Sequence, residues 1–175
     1  MSVRKLTEQQ RARREIVTVS TDDIYEHQIW MREALELARE AAADGEIPVG
    51  AIVVYQGEII GSGKNGRQAR QDPTTHAEIE AIRQACRQRG SWNLADCWLY
   101  VTLEPCCMCA GAIIQARIPF VVYGAADPKA GAVDSLYELL NDKRLNHRCQ
   151  VISGILDTAC AAVLTDFFQQ KRSGV

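Results

Sequence analysis

Residues 99–112 have the sequence Leu-Tyr-Val-Thr-Leu-Glu-Pro-Cys-Cys-Met-Cys-Ala-Gly-Ala, an apolar stretch that runs into a cluster of cysteines. The β-rich run 97–103 predicts a buried strand. A proline then ends the strand and suits the first turn of a helix, which we expect over residues 106–116. Cys106 and Cys109 are three positions apart, so on this helix they share a face and can hold one ion. The stretch therefore predicts a strand and helix with two sulfur ligands between them.

A second half-motif lies in the helix predicted over residues 73–89, whose first turn contains His76, Ala77 and Glu78. One imidazole and two thiolates make three protein ligands, the number typical of catalytic zinc sites that keep a fourth position for water. The N-terminus of a helix lowers the pKa of a cysteine and favours the thiolate that binds metal. Glu78 stands two residues from His76, so it would flank the ion and is the candidate general acid/base. The predicted metal ligands are His76, Cys106 and Cys109.

Each half-motif alone has a simpler interpretation. Thr75 and Glu78 have the spacing of a capping box, with Thr75 as the N-cap of the helix. Cys106 and Cys109 alone would suit a redox pair or half of a structural zinc site. A redox pair leaves His76 and Glu78 without a role, and a closed structural site lacks a convincing fourth ligand. Together the two half-motifs favour a catalytic zinc site.

Several other residues are expected to be structural. Cys107 should point away from the predicted ion and serve as a small packing residue. His27 and His147 are isolated, which favours surface or internally bonded histidines. Trp92 and Trp98 are expected to be packing residues.

The rest of the chain alternates between helical and strand patterns. A helix is expected from Thr21 until Gly45 ends it, and the polar residues before it are expected to form a flexible extension over 1–20. Alternation of this kind favours a layered α/β domain, here over residues 21–175. The remaining predictions are strands at 49–55, 58–63, 120–124 and near 151, a polar loop at 64–72, a short helix at 136–140 and a last helix at 157–170.

Composition limits the class of protein further. The chain has 175 residues, 47% of them hydrophobic, and a formal net charge of −2, so any nucleic-acid partner must be held by a local basic patch. Seven cysteines, three of them within four positions, make a poor disulfide framework and favour metal chemistry in a reducing compartment. We find neither a secretory signal nor an apolar stretch long enough to span a membrane, so a cytoplasmic location is expected.

Five segments carry a resemblance to a known enzyme family. They are residues 47–51 (Ile-Pro-Val-Gly-Ala), 72–79 (Asp-Pro-Thr-Thr-His-Ala-Glu-Ile), 99–106, 108–112 (Met-Cys-Ala-Gly-Ala) and 166–168 (Asp-Phe-Phe). From about Tyr25 to Phe168 the chain resembles the bacterial-type tRNA-specific adenosine deaminases of the cytidine deaminase-like superfamily. The metal half-motifs are shared with guanine and cytosine deaminases, but Asn65 and the loop 124–132 look more like the tRNA enzymes.

The resemblance implies a fold, a cofactor and a substrate. The implied fold is a three-layer α/β/α sandwich with a mixed five-stranded sheet, and the implied assembly is a homodimer with one zinc ion per subunit. The implied reaction converts the wobble adenosine of a tRNA anticodon loop to inosine. Asn65 matches the family position that hydrogen-bonds the purine, Asp127 matches a position beside the flipped nucleotide, and the Ala77 backbone matches a base contact. Ala126 departs from the arginine or other polar residue that the family often has there.

Contacts with the RNA backbone and the choice of substrate stay open at this point. Six basic residues are candidates for holding phosphates, and the alternative is that they form an ordinary solvated surface: Lys64, Arg67, Arg70, Lys129, Lys171 and Arg172. Phe167 and Phe168 suit the core, a dimer contact or a surface that stacks on RNA bases. The alternative functions are a deaminase of free guanine or cytosine and a zinc-stabilised RNA-binding module without catalysis.

Overall fold

A computed structural model describes residues 21–174, with side chains described from Ile24 onward. The predicted extension over residues 1–20 lies outside the described part. The described elements in chain order are α1 (Thr21–Ala43), β1 (Gly50–Tyr55), β2 (Glu58–Lys64), α2 (Arg67–Arg70), α3 (Ala77–Arg89), β3 (Trp98–Leu103), α4 (Cys107–Gln115), β4 (Phe120–Ala125), a 3-10 turn (Leu139–Asn141), β5 (Gln150–Ser153) and α5 (Asp157–Arg172).

The five strands form one mixed sheet in the order β2-β1-β3-β4-β5. Strand β1 runs antiparallel to both of its neighbours, while β3, β4 and β5 are parallel to one another. Parallel neighbours need a crossover, which α4 supplies between β3 and β4. The segment 126–149, which contains the 3-10 turn, connects β4 to β5, and α5 follows β5. The mixed five-stranded sheet that the resemblance implied is confirmed.

Alternating side chains of the strands divide the core into two layers. On β1, Ala51 and Val53 face the cluster that contains residues of α3 and α4, whereas Ile52 and Val54 face the cluster that contains residues of α1. This alternation follows from the two-residue period of a strand. Helices therefore cover both faces of the sheet, and the predicted three-layer α/β/α sandwich is confirmed.

Two glycines allow α3 to lie unusually close to the sheet. A Cβ atom built on Gly61 would lie 2.3 Å from the carbonyl oxygen of Ala81, and one built on Gly63 would lie 2.2 Å from that of Ala77. Only a residue without a side chain fits at such a distance. The backbone of β2 thus sets the position of the first turn of α3.

Several element boundaries differ from the sequence predictions. The polar loop predicted at 64–72 contains the short helix α2, and the short helix predicted at 136–140 is a 3-10 turn at Leu139–Asn141. Helix α3 begins at Ala77 instead of residue 73, because the Asp72 carboxylate accepts hydrogen bonds from the Thr74 N–H and hydroxyl at 2.8 and 2.7 Å. Such local bonds compete with helix formation.

The two tryptophans that were expected to be packing residues have different environments. Trp98 stacks on Phe120 with ring centroids 4.2 Å apart, as expected for a packing residue. Trp92 is 65% exposed, so the prediction that it is a packing residue is wrong. Within the described residues, no helix has both the length and the apolar character needed to cross a lipid bilayer.

Candidate metal centre and active site

One edge of the sheet collects the residues that the sequence singled out. Strands β3 and β4 are parallel, and Leu103 pairs with Ala125 where both strands end. Strand β1 is antiparallel to β3 and to β2, so the start of β1 and the end of β2 lie at the same edge. Loops at the carboxyl ends of parallel strands commonly build binding sites. The two half-motifs and the segments around Asn65 and Asp127 all follow or precede strands at this edge.

The three predicted ligands come together at this edge. His76 is the N-cap of α3 and Cys106 is the N-cap of α4, both with extended backbone, while Cys109 lies in the first turn of α4. The His76 Nδ1 atom lies 3.7 Å from Cys106 Sγ and 3.5 Å from Cys109 Sγ. Two ligands of a tetrahedral zinc ion, at about 2.05 Å for nitrogen and 2.3 Å for sulfur, stand about 3.6 Å apart. The donor spacing therefore fits zinc without rearrangement.

Among the described residues, the group of possible metal ligands contains three side chains. One ligand atom from each of His76, Cys106 and Cys109 lies within 4.8 Å of the others, and among the described residues no further histidine, cysteine or carboxylate joins this group. Three protein ligands are the composition of a catalytic zinc site, whereas a structural site has four. The arrangement can therefore hold a divalent ion and expose one coordination position to a substrate or water.

The thiols form one hydrogen-bonded unit with the imidazole. The Cys106 thiolate accepts from the Cys109 thiol, from His76 and from the Cys109 backbone N–H, which together lower the pKa of Cys106 to about 3. The same bond to Cys106, together with burial, raises the pKa of Cys109, and the bond to Cys106 raises the pKa of His76. Cys106 thus presents the ionised sulfur that a metal requires.

Glu78 is a buried carboxyl group directly beside these ligands. Its exposed fraction is only 4%. Burial raises the pKa of Glu78 to about 7, and the neighbouring negative charge of Cys106 acts in the same direction. A carboxyl group that titrates near neutral pH can both accept and return a proton, which is the property of a general acid/base.

A cavity of about 560 Å³ opens over the ligands. Its size suits a small molecule or a single nucleotide base. Its walls contain all three residues that the resemblance assigned to the substrate, Asn65, Ala77 and Asp127, as well as Ala126. One oxygen of Asp127 accepts hydrogen bonds from the Lys129 and Ala130 N–H groups at 2.9 and 3.2 Å, which shapes the loop that forms this wall.

The structure sorts the six basic residues into two groups. Arg67 and Lys129 line the cavity. Lys64 instead contacts Asp44 and Glu40 at 2.9 and 3.1 Å, and hydrogen bonds to these two carboxylates raise the pKa of Lys64. The other three make contacts elsewhere: Arg70 with Glu80 at 2.6 Å, Lys171 with the Gly45 carbonyl at 3.2 Å, and Arg172 with the Phe168 carbonyl at 3.2 Å.

The simpler interpretations of individual residues have mixed outcomes. The capping box is wrong, because α3 starts after His76 and no side chain caps it. Cys107 is exposed, so it points away as expected but does not pack in the core. His27 and His147 are internally bonded as expected, to the Tyr100 hydroxyl at 3.0 Å and to the Ile118 carbonyl at 2.8 Å.

The two adjacent phenylalanines of α5 have separate environments. Phe167 is buried and belongs to the protein interior, as the sequence favoured. Phe168 is 43% exposed and lines the cavity. The pair has an edge-to-face arrangement with centroids 5.5 Å apart. Only Phe168 is therefore available to a bound molecule.

Two buried carboxylates of the site were not predicted. Glu104 accepts hydrogen bonds from the N–H groups of Asp127, Val133, Asp134 and Ser135 and from the Ser135 hydroxyl. Burial alone would raise the pKa of Glu104, but these bonds lower it. Glu46 accepts from Asn65 and from the Ala69 N–H. The available signal was an acidic residue next to an apolar strand, which is unexpected unless the carboxylate is paired.

Comparison with known proteins shows that the chain is similar to deaminases. The model of the MafB19-like deaminase family matches residues 25–172. A tRNA-specific adenosine deaminase of Streptococcus pyogenes serotype M1 is 49% identical over 147 residues, which are 84% of this chain and 86% of the relative.

The chain belongs to the tRNA-specific adenosine deaminase family.

The solved structures that resemble this chain include one from work on tRNA deaminases and one of a guanine deaminase. One structure, from work on A-to-I editing by tRNA:A34 deaminases at the wobble position of transfer RNA, is 43% identical with a TM-score of 0.75, over 77% of this chain and 98% of the other. A guanine deaminase of Bacillus subtilis is 45% identical with a TM-score of 0.55, over 57% of this chain and 64% of the other. The fold of the deaminase is thus shared by enzymes that act on different purines.

Proposed function

We propose that this deaminase converts the wobble adenosine of a tRNA anticodon loop to inosine by zinc-dependent hydrolysis. The observation that carries the proposal is the placement of Glu78 beside a three-ligand His76-Cys106-Cys109 group in the wall of a base-sized cavity. Its relative in Streptococcus pyogenes is named a tRNA-specific adenosine deaminase. These residue types are also those of the zinc-deaminase signature.

The metal site supplies the nucleophile. His76, Cys106 and Cys109 would hold one zinc ion, since their donor atoms already have tetrahedral spacing. When bound, zinc acidifies water so that hydroxide is available near neutral pH. Cys106 contributes a thiolate, and the positive N-terminal end of α4 favours that charge.

Glu78 moves the protons of the reaction. It accepts one proton from the attacking water as the new C–O bond forms at C6 of adenine. It delivers that proton to ring N1, then takes the proton of the new C6 hydroxyl and passes it to the departing amine. The C6–N6 bond breaks to release ammonia and leaves a carbonyl at C6. Water and adenosine thereby give inosine and ammonia, with no other reactant required. Burial raises the pKa of Glu78 above that of an ordinary carboxyl group, which suits a group that must both accept and return a proton.

The cavity walls would select and hold the base. Asn65 supplies an amide, Ala77 supplies backbone groups at the N-terminus of α3, and Asp127 stands in the opposite loop. An unpaired anticodon base can be splayed into such a cavity at low cost. Ala126 offers no side-chain hydrogen bond, so position 126 would contribute only through its backbone.

Contacts to the rest of the RNA would surround the cavity mouth. Arg67 and Lys129 are the candidates that line it, and we assign phosphate contacts to them before the other four basic residues. Phe168 offers an exposed aromatic ring at the same wall, and bases adjacent to a flipped nucleotide stack well on such rings. With a net charge of −2 for the chain, this local patch would carry the attraction.

The broader predictions complete the proposal. We keep one deaminase domain over residues 21–175, which rests on the alternation of helices and strands, and a cytoplasmic location, which rests on the cysteine usage and the sequence signals. We also keep the homodimer that the family resemblance implies. These three statements stay predictions.

Incubation of the zinc-loaded chain with an anticodon stem-loop that contains adenosine at the wobble position tests the function. Nucleoside analysis should detect inosine, with one ammonia released per inosine. Free guanine, free cytosine and the same stem-loop with guanosine serve as parallel substrates. Faster release of ammonia from free guanine than from the stem-loop would favour the alternative of a free-base deaminase, to which the similarity with the Bacillus subtilis guanine deaminase points.

A further inference from the structure

Glu46 is a buried carboxylate that the catalytic steps do not use. It lies between α1 and β1, where Gly45 has a φ of +78° and turns the chain into the protein. The side chain of Glu46 is only 3% exposed. One carboxylate oxygen accepts a hydrogen bond from the Asn65 side-chain nitrogen at 3.1 Å, and the other accepts from the Ala69 N–H at 2.8 Å. A buried carboxylate needs such donors to offset its loss of water.

The chemistry of this pair leaves Asn65 one orientation. An asparagine amide has a donor end and an acceptor end and can turn over unless its partners prevent it. A carboxylate only accepts, so the Asn65 nitrogen must face Glu46. The Asn65 backbone is also held, because its N–H donates to the Val49 carbonyl at 3.0 Å. Asn65 is only 6% exposed and lines the cavity, so the remaining donor and acceptor positions of its amide point in fixed directions.

We propose that Glu46 is a positioning residue that fixes the orientation of the Asn65 amide. The amide then presents its donor and its acceptor to a bound purine in one arrangement only. Adenine carries an amino donor at position 6 where guanine carries a carbonyl acceptor, so a fixed amide can contribute to the choice between them. This inference rests on the proposed function, since Asn65 contacts a purine only if the cavity binds one.

The variant Glu46→Gln tests the proposal with almost no change of shape. The Ala69 N–H can only donate, so it keeps the one remaining side-chain oxygen of the glutamine. The new amide nitrogen then faces the Asn65 nitrogen, and two donors cannot bond each other. Asn65 would have to turn over and present its oxygen to Gln at position 46. The order of donor and acceptor offered to the cavity would be reversed.

A double-mutant cycle separates positioning from a general structural role. We would measure kcat and KM on the adenosine stem-loop for the wild type, Glu46→Gln, Asn65→Ala and the double variant, each with its zinc content. Loss of one hydrogen bond to the base corresponds to about a tenfold to hundredfold fall in kcat/KM for Glu46→Gln. In the Asn65→Ala background the same change should cost less than about twofold, because the group through which Glu46 acts is gone. The variant Glu33→Gln, on the exposed face of α1, controls for loss of a carboxylate.

Two kinetic outcomes would overturn the proposal. An unchanged kcat/KM in Glu46→Gln would mean that the orientation of Asn65 does not depend on Glu46. Losses that multiply in the double variant would mean that Glu46 acts through Ala69 and α2 instead. Both outcomes presuppose an active wild type, whose failure on the stem-loop would contradict the proposed function alone.

A second readout does not depend on activity. The side-chain amide protons of Asn65 should exchange with solvent at least about tenfold more slowly in the wild type than in Glu46→Gln, as measured by NMR. Equal exchange rates in the two proteins would overturn the positioning role even if neither is active on RNA.

Discussion

The first turn of α3 packs directly against the backbone of β2, since a Cβ atom built on Gly63 would lie 2.2 Å from the carbonyl oxygen of Ala77. Ala77 lies between His76 and Glu78 in the sequence. A displacement of this turn therefore moves His76, a proposed metal ligand, and Glu78, the proposed general acid/base, together. The close packing of α3 on β2 is thus expected to matter for activity as well as for stability.

The variant Gly63→Ala should weaken both zinc binding and activity. The added methyl must push α3 away from the sheet, at a cost of about 2 kcal/mol in the free energy of unfolding. Urea unfolding, zinc content and inosine formation measure the three effects. The control is Gly111→Ala in α4, where a Cβ meets no atom within 4 Å. Equal zinc loss in both variants would contradict the proposed role of close packing.

The variant Glu78→Gln should bind zinc and fail to deaminate. Glu78 is not one of the three donors that lie within 4.8 Å of one another, so the metal stays. An amide at this position cannot shuttle protons, and kcat should fall by about a factor of 10² to 10⁴. The assay pairs metal analysis with inosine formation. Normal turnover would remove Glu78 from the mechanism.

The variants Cys109→Ser and Cys107→Ser form a matched pair two residues apart. Cys109 is buried among the ligands, whereas Cys107 is exposed. We expect Cys109→Ser to lose zinc during dialysis, because a hydroxyl at neutral pH does not supply the anionic soft ligand that the site requires. Cys107→Ser should keep one zinc per chain. Retention of zinc by Cys109→Ser would show that the ligand set is wrong.

Phe167 and Phe168 should respond differently to truncation. Phe167→Ala removes a buried ring and should lower the free energy of unfolding by about 3–5 kcal/mol. Phe168→Ala should change stability by about 0.5 kcal/mol or less. It should nevertheless raise KM for the stem-loop by about tenfold if the ring stacks on a base. An unchanged KM for Phe168→Ala would remove the ring from RNA binding.

Glu104 should hold the loop that contains Asp127. The variant Glu104→Gln places an amide nitrogen where backbone N–H groups donate, and we expect a loss of about 2–3 kcal/mol in the free energy of unfolding. The amides of Asp127 and residues 133–135 should then exchange faster with solvent. The exposed Glu138 offers the control Glu138→Gln. Unaltered exchange at these amides would mean that Glu104 does not anchor the loop.

The sequence supplied the layers and the ligands because both leave short-range signals. Hydrophobic period and turn residues predicted all five strands, and the spacing of Cys106 and Cys109 predicted that their sulfur atoms lie close enough to share one ion. Helix start sites were less accurate, since the Asp72 side chain competes for the backbone just before α3. The short helix α2 has no buried residue, so the sequence has no apolar periodicity there from which the helix could be predicted.

The supporting contacts of the site could not be predicted from local sequence. Glu46 and Asn65 are 19 positions apart, and Glu104 bonds to groups up to 31 positions away. Only the packed sheet brings these partners together. The six basic residues were equivalent in the sequence for the same reason, whereas the fold pairs Lys64 with carboxylates and places Arg67 at the cavity.

The turn between β1 and β2 lies at the end of the sheet opposite the metal ligands, since both strands run from it to the catalytic edge. Gln56 and Gly57 have left-handed backbone there, and both residues are exposed to solvent. Exposed loop tips of this kind accept inserted sequence. An epitope or fluorophore inserted between these two residues would lie at the end of the sheet opposite the proposed RNA-binding site. We therefore expect it to leave RNA binding unchanged.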